Sequence, residues 1–124
     1  METLLVVDGA NVVGSVPDMW WRDRRAAALR LRDALAAPGG QWAVTGPVEV
    51  VLVVEGAARG VASVPGVRVE SAAGSGDDLI AELAAGAAAA GRPCVVVTAD
   101  RGLRERVSAT GAACAGPRSV RRTP

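Results

Sequence analysis

The chain has 124 residues, half of them hydrophobic, with 14 basic and 13 acidic side chains and a formal net charge of +1. This length suits one compact domain, which we assign to residues 1–115, with a flexible tail over 116–124. The near-neutral charge excludes the large positive excess of a dedicated nucleic-acid-binding domain, so any nucleic acid would be held locally.

Missing residue types exclude several kinds of chemistry. Every basic residue is an arginine, and the chain contains neither histidine nor lysine. The lack of histidine excludes a Ser-His-Asp triad, a Cys-His pair and an HExxH zinc site. The lack of lysine excludes a Walker A motif and Schiff-base catalysis. Carboxylates and bound metal ions are the remaining means of catalysis.

Cysteine usage and hydropathy indicate the compartment. Cys94 and Cys114 are the two cysteines, and their spacing favours buried thiols over a disulfide or a metal-binding pair. No apolar stretch is long enough to span a bilayer, and the chain starts with a strand rather than a signal segment. We therefore expect a cytoplasmic protein without a membrane partner.

The first half of the chain predicts a strand, a long helix and a second strand. Residues 3–7 are a continuous apolar run closed by Asp8, which is typical of the interior of a parallel sheet. Residues 20–37 are rich in Ala, Leu and Arg and predict a helix, with a candidate cap at Asp18. Residues 48–54 are rich in valine and predict the second strand. The expected inner face of the helix consists of Trp21, Ala28, Leu31 and Leu35.

The second half alternates strands and helices in the same way. The elements are a short strand near 67–70, a helix from Asp77 to about residue 90, a buried strand over 94–98, a helix over 101–108 and a small edge strand over 112–115. Alternation of this kind implies right-handed crossovers. The predicted fold class is α/β, a three-layer sandwich with a central parallel sheet of four to five strands.

Acidic residues follow the predicted strands at one edge of this sheet. Open parallel sheets bind ligands beyond the carboxyl ends of their strands, near the point where the strand order reverses. Each acid alone is more simply explained as a helix cap or a turn former. Their convergence favours a metal site, because clustered carboxylates repel one another unless a cation neutralises them. The candidate metal ligands are Asp8, Glu55, Asp77, Asp78 and Asp100.

An all-oxygen site of this kind suits Mg²⁺ or Mn²⁺. Two such ions about 4 Å apart can activate a water molecule and stabilise the leaving oxygen of a phosphodiester, which makes a nuclease the natural chemistry. The candidate catalytic residues are Asp8, Asp77, Asp78 and Asp100, and the candidate substrate-binding or supporting residues are Asn11, Ser75, Thr98 and Arg101. Simpler alternatives are a turn-forming Asn11 and an ion pair between Arg101 and Asp100 or Glu105.

The aromatic residues offer a further contact with nucleic acid. Trp20 and Trp21 are adjacent, and an exposed indole ring could stack on an RNA base. Trp42 is the only other aromatic residue in the chain. We therefore expect Trp21 to belong to the core.

Three sequence blocks resemble the NYN branch of the PIN-like ribonucleases, especially its YacP-like bacterial members. They are VVDGANVVG at 6–14, SGDDLI at 75–80 and VVVTADRGL at 95–103. The resemblance implies a PIN-like fold, a Mg²⁺ or Mn²⁺ site and endoribonuclease activity on RNA. It also implies that Asp8, Asp100 and one of Asp77 or Asp78 bind metal and that Asn11 is the site amide. Glu55 departs from the family, which often has Asp there.

Two other functions use the same residues. A nucleotide pyrophosphohydrolase or phosphatase could attack a diphosphate with the same metal site, and a non-catalytic PIN-like domain could bind RNA or a protein. A homodimer is also compatible with the sequence. A dinucleotide-binding domain is excluded, because GANVVG at 9–14 does not supply GxGxxG.

Overall fold

The computed structural model describes residues 2–38 and 44–120, and in these residues five strands form one sheet. The strands are β1 (Thr3–Asp8), β2 (Val48–Val54), β3 (Val67–Ser71), β4 (Cys94–Val97) and β5 (Ala113–Ala115). The α-helices are α1 (Gly9–Gly14), α2 (Arg24–Ala36), α3 (Gly76–Ala89) and α4 (Arg101–Ser108). Short 3₁₀ helices span Trp20–Arg22, Gly56–Ala58 and Pro117–Ser119.

The strand order is β3-β2-β1-β4-β5, and every neighbouring pair is parallel. β1 lies at the centre because its apolar side chains are buried on both faces of the sheet. The chain moves outward from β1 to β2 and β3 and then crosses to β4 on the other side of β1. The strand order therefore reverses between β1 and β4, the point at which sheets of this kind bind ligands.

Helices cover both faces of the sheet, which gives three layers. Alternate strand residues point to opposite faces, so Leu5 and Val7 pack against one helical layer and Leu4 and Val6 against the other. The layer of α1 and α2 contributes Val12, Ala28, Leu31 and Leu35, and the layer of α3 and α4 contributes Ile80, Ala84, Leu103 and Val107. The predicted three-layer fold with a parallel sheet is confirmed.

The helix predicted over 20–37 is shorter than expected. A 3₁₀ turn forms at Trp20–Arg22, and α2 begins after Asp23, whose carboxylate accepts a hydrogen bond of 2.9 Å from the Ala26 N–H. Asp23 caps α2 because this bond satisfies a backbone donor of the first turn, so the predicted cap at Asp18 was wrong. Trp21 lies outside α2 and is 55% exposed, so its predicted place in the core was also wrong.

Residues 116–120 are folded, which corrects the flexible tail predicted to start at Gly116. Pro117–Ser119 form a 3₁₀ helix, and the Val120 side chain is fully buried in the core that contains Leu5 and Leu31. Burial of an apolar side chain holds this segment against the domain. Residues 39–43, which include Trp42, and residues 121–124 lie outside the described residues. Within the described chain, no helix has the length and apolarity needed to cross a membrane.

Candidate active site

Asp8 is a buried carboxylate at the point where the strand order reverses. It is the last residue of β1 and is only 5% exposed. Its Oδ2 accepts a hydrogen bond of 2.8 Å from the Thr98 hydroxyl, and its Oδ1 accepts one of 3.3 Å from the Asn11 N–H. Burial raises the pKa of Asp8; the two hydrogen bonds oppose this rise, and the charges of Asp77 and Glu55 add to it.

Thr98 connects Asp8 to the segment that follows β4. Its side chain is fully buried, and its hydroxyl donates to Asp8 while accepting a hydrogen bond of 3.1 Å from the Asp100 N–H. Asp100 caps α4, because its Oδ1 accepts a hydrogen bond of 2.8 Å from the Leu103 N–H. One hydroxyl group thus connects the last residue of β1 to the segment that follows β4.

Asn11 makes a second connection between these two segments. Its side-chain oxygen accepts a hydrogen bond of 2.8 Å from the Ala99 N–H, while its own N–H donates to Asp8. Asn11 lies in α1, a short helix that the sequence did not predict. The first residue of α1 is Gly9, where a Cβ atom would lie 2.5 Å from the carbonyl oxygen of Val53. Only glycine allows α1 to begin this close to β2.

The structure separates the two adjacent aspartates at the start of α3. Asp77 interacts with the site: burial raises its pKa, the charges of Asp100 and Glu55 raise it further, and Arg106 lowers it. Asp78 instead points to Arg106, with an Oδ1–Nη2 distance of 3.1 Å, and its side chain is 71% exposed. Asp77 is therefore the one of the two that adjoins the other acids, while Asp78 pairs with an arginine from α4. Which of the two binds metal stays a prediction.

Glu55 approaches the same group from the end of β2. A Cβ atom on Gly76, the first residue of α3, would lie 2.8 Å from Glu55 Oε1, so the carboxyl group rests against the start of that helix. Its charge contributes to the raised pKa of both Asp8 and Asp77. The group formed by Asp8, Glu55, Asp77 and Asp100 is called the acidic cluster below.

The polar residues predicted to support the site have different surroundings. Ser75 caps α3, and its hydroxyl accepts a hydrogen bond of 3.1 Å from the Asp77 N–H. Arg101 is exposed and, among the described residues, forms no ion pair with Asp100 or Glu105. It lines an open depression of about 470 Å³ together with Arg104. Ala99, which precedes Asp100 in the chain, and Glu105 also line this depression.

The acidic cluster has the chemistry of a divalent-metal site without its compact geometry. Its donors are carboxylate oxygens, which Mg²⁺ and Mn²⁺ prefer. Burial is the main cause of the raised pKa values of Asp8 and Asp77, and repulsion from neighbouring acids, which a cation would relieve, adds to it. Within residues 2–38 and 44–120, however, no three acidic or thiol side chains are close enough to hold an ion as they stand. Binding would therefore require side-chain rotations that draw the carboxylates together.

A comparison with solved structures found a known protein whose fold matches nearly the whole chain. The chain is similar to Rae1 (YacP) from Bacillus subtilis, with a TM-score of 0.73 over 97% of this chain and 72% of that chain. The chain has a YacP-like fold. The sequence identity is 21%, so this similarity establishes the fold alone. No protein-family model matches the chain, and no curated protein matches it significantly by sequence.

Sequence reasoning missed a pocket beside the acidic cluster. Trp20 is half-buried and lines it together with Arg24, whose guanidinium carbon lies 5.3 Å from the centroid of the Trp20 ring. The sequence predicted that an exposed ring of the adjacent tryptophans could stack on RNA and that Trp21 would be the ring in the core. The structure places Trp20 on the inner side instead, because the break at Asp23 changes the helical register.

Proposed function

We propose that this protein is a metal-dependent endoribonuclease that hydrolyses RNA phosphodiester bonds. The proposal depends on one observation: the fold places four acids at the edge of the sheet where the strand order reverses between β1 and β4. They are Asp8 at the end of β1, Glu55 after β2, Asp77 at the start of α3 and Asp100 at the start of α4. Repulsion among buried or half-buried acids is costly unless a cation offsets it. The resemblance of three sequence blocks to YacP-like PIN-like ribonucleases and the YacP-like fold support the same function independently.

Each residue of the acidic cluster has a definite task in this proposal. Asp8 would be the central ligand of Mg²⁺ or Mn²⁺, with Thr98 and the Asn11 N–H fixing the orientation of its carboxyl group. Asp77 and Asp100 would complete the ligand set from two other elements, and Glu55 would bind directly or through water. When bound, the metal would activate a water molecule and neutralise charge on the phosphate.

An arginine on α4 would hold the substrate backbone. Arg101 and Arg104 line the open depression that Ala99 also lines. Within the described residues, the Nε of Arg104 is buried and has no hydrogen-bond partner. A guanidinium group can donate two parallel hydrogen bonds to a phosphate. Arg101, which is exposed, therefore suits a phosphate that neighbours the cleaved bond, although Glu105 also lines the depression. The RNA substrate, the cytoplasmic location and a homodimer stay predictions.

Metal titration and RNA cleavage test the proposal together. Mn²⁺ should raise the melting temperature of the wild-type protein by linkage and support cleavage of a single-stranded oligoribonucleotide. Asp8→Asn and Asp100→Asn should remove both effects. Asp33→Asn, which alters an exposed acid that pairs with Arg32 on α2, should retain both. If Mn²⁺ shifts the melting of wild type and Asp8→Asn equally, the metal site is not at the acidic cluster.

The choice of substrate separates the alternative functions. Hydrolysis of nucleoside triphosphates with intact RNA would instead indicate a pyrophosphohydrolase or phosphatase. RNA binding without cleavage at any Mg²⁺ or Mn²⁺ concentration would indicate a non-catalytic domain. Cleavage within the RNA chain, detected as internal fragments by gel electrophoresis, is the result expected for an endoribonuclease.

A further inference from the structure

A pocket of about 310 Å³ opens directly beside the acidic cluster. It lies between α1, α2 and the end of β2, and two of its lining residues also belong to or adjoin the cluster: Glu55 is a member, and Gly9 follows Asp8. This volume is at the lower end of the range for small-molecule sites. The pocket is close enough to Asp8 for one ligand to occupy the pocket and contact the acidic cluster at the same time.

The lining combines a flat aromatic ring, apolar walls and two charged groups. The Trp20 indole and the Arg24 guanidinium stand together at the α2 side, and Glu55 stands at the β2 side. The apolar walls come from Val13, Ala28 and Val54. A nucleobase matches this lining, because it has two apolar faces for stacking and an edge that carries both hydrogen-bond donors and acceptors.

The charges of the pocket argue against a phosphate as its occupant. One guanidinium and one carboxylate nearly cancel, and the Glu55 charge would repel an anion that entered fully. A purely apolar ligand would leave both charged groups without a partner as it displaced their water. A neutral, flat ligand with a polar edge avoids both costs.

We infer that this pocket binds one nucleobase of the RNA strand whose phosphodiester lies against the acidic cluster. The inference rests on the proposed function, which it deepens by giving the site a substrate-positioning pocket. Trp20 and Arg24 are positioning residues here, and stacking on them fixes the strand relative to Asp8. Trp21 is the natural comparison, because its ring is exposed, contacts Trp20 edge-on at a centroid distance of 6.1 Å and does not line the pocket.

A fluorescence titration tests the pocket without requiring catalysis. Replacing Trp21 and Trp42 with phenylalanine leaves Trp20 as the one tryptophan of the three in the chain. Adenosine or guanosine 5′-monophosphate should change its emission saturably, while ribose 5-phosphate should not. Arg24→Ala should weaken this binding about tenfold, and Arg30→Ala, which removes an equal charge from an exposed position of α2, should change it less than about twofold.

Two results of this titration would contradict the inference that the pocket binds a nucleobase. An equal response to ribose 5-phosphate would show that phosphate, not the base, is recognised. An equal loss of binding in Arg24→Ala and Arg30→Ala, or no saturable response to either nucleotide at several millimolar, would show that the pocket takes no base.

Cleavage kinetics with abasic RNA separate this inference from the proposed function. Removing the base of one nucleotide should raise KM about tenfold at one position along the strand and leave the other positions nearly unchanged. The wild-type protein cleaving every abasic substrate equally well would overturn the pocket while the nuclease stands. Saturable nucleotide binding in a protein that cleaves no RNA would support nucleobase binding in the pocket and contradict the proposed endoribonuclease activity.

Discussion

The hydroxyl group of Thr98 donates a hydrogen bond of 2.8 Å to Oδ2 of Asp8, across ninety positions of sequence. Both side chains are buried, and the same hydroxyl accepts the Asp100 N–H. One side chain therefore fixes the acid at the end of β1 and the backbone that follows β4. The geometry of the site depends on this bond as much as on the carboxylates.

Thr98→Val should lower the free energy of unfolding by about 1–3 kcal/mol, because it leaves the buried Asp8 carboxylate and the Asp100 N–H without their shared partner. It should also raise the pKa of Asp8 further above its usual range. Urea denaturation measures the stability change. Thr98→Ser keeps the hydroxyl group and should lower the free energy of unfolding clearly less than Thr98→Val does. Wild-type stability in Thr98→Val would show that this bond contributes nothing.

Stability without metal should fall as the pH rises through the range in which Asp8 and Asp77 ionise. Burial, followed by neighbouring acids, raises the pKa of both groups above 3.8, so the folded state binds their protons more tightly than the unfolded state. At a pH below both the unfolded and the folded pKa values, the two groups are protonated in either state. Their ionisation then no longer lowers the free energy of unfolding. Thermal melting in chelator across acidic pH tests this direction.

Asp77→Asn should therefore stabilise the metal-free protein at neutral pH. The gain should not exceed about 1 kcal/mol, because Asp77 is partly exposed and solvent screens its repulsion from Asp100 and Glu55. The gain should vanish below about pH 3.8, where the carboxyl group is neutral in wild type as well. Asp78→Asn is the matched control, since it breaks the exposed ion pair with Arg106 and should give no gain. Equal stabilisation by both variants would contradict the separation of the pair.

Gly9→Ala should destabilise the protein by about 1–3 kcal/mol, because the added methyl group would press on the carbonyl oxygen of Val53. The same substitution at Gly14, at the other end of α1, has a nearest neighbour 3.6 Å away in the Trp20 ring and should be tolerated. Urea denaturation of the two variants compares them directly. Similar stability of both would show that α1 shifts without cost.

Val120→Ala should cost about 1–3 kcal/mol, because it opens a cavity beside Leu5 and Leu31. A chain that ends at residue 120 should retain wild-type stability more fully than one that ends at residue 115. Differential scanning calorimetry of the two truncated chains checks this. Equal melting temperatures would restore a domain boundary before Gly116.

The layered fold and the position of the acids at the ends of the strands could be predicted because both follow from local patterns. Valine-rich runs such as 48–54 identify buried strands, and an acid that follows such a run must lie at the carboxyl edge of a parallel sheet. The strand pattern therefore predicts that Asp8, Glu55 and Asp100 lie at one edge of the sheet. This prediction needs no information about side-chain contacts.

The remaining features depend on tertiary contacts that no local pattern encodes. α1 has glycine at both ends and two β-branched valines, a poor helix-forming sequence, and it exists because Asp8 caps it and Val12 and Val13 pack in the core. Adjacent positions on a helix point in different directions, so Asp77 lies near Asp100 and Glu55 while Asp78 pairs with Arg106 from α4. Sequence spacing alone cannot distinguish such neighbours.

Asp8 caps α1 and also lies among charges of its own sign, so stability and the proposed catalytic role make different demands on the acidic cluster. Laboratory evolution that selects only for heat resistance would favour uncharged replacements within the acidic cluster. Any such programme would need a catalytic screen running in parallel, since its most heat-resistant products would be those that had discarded the acids.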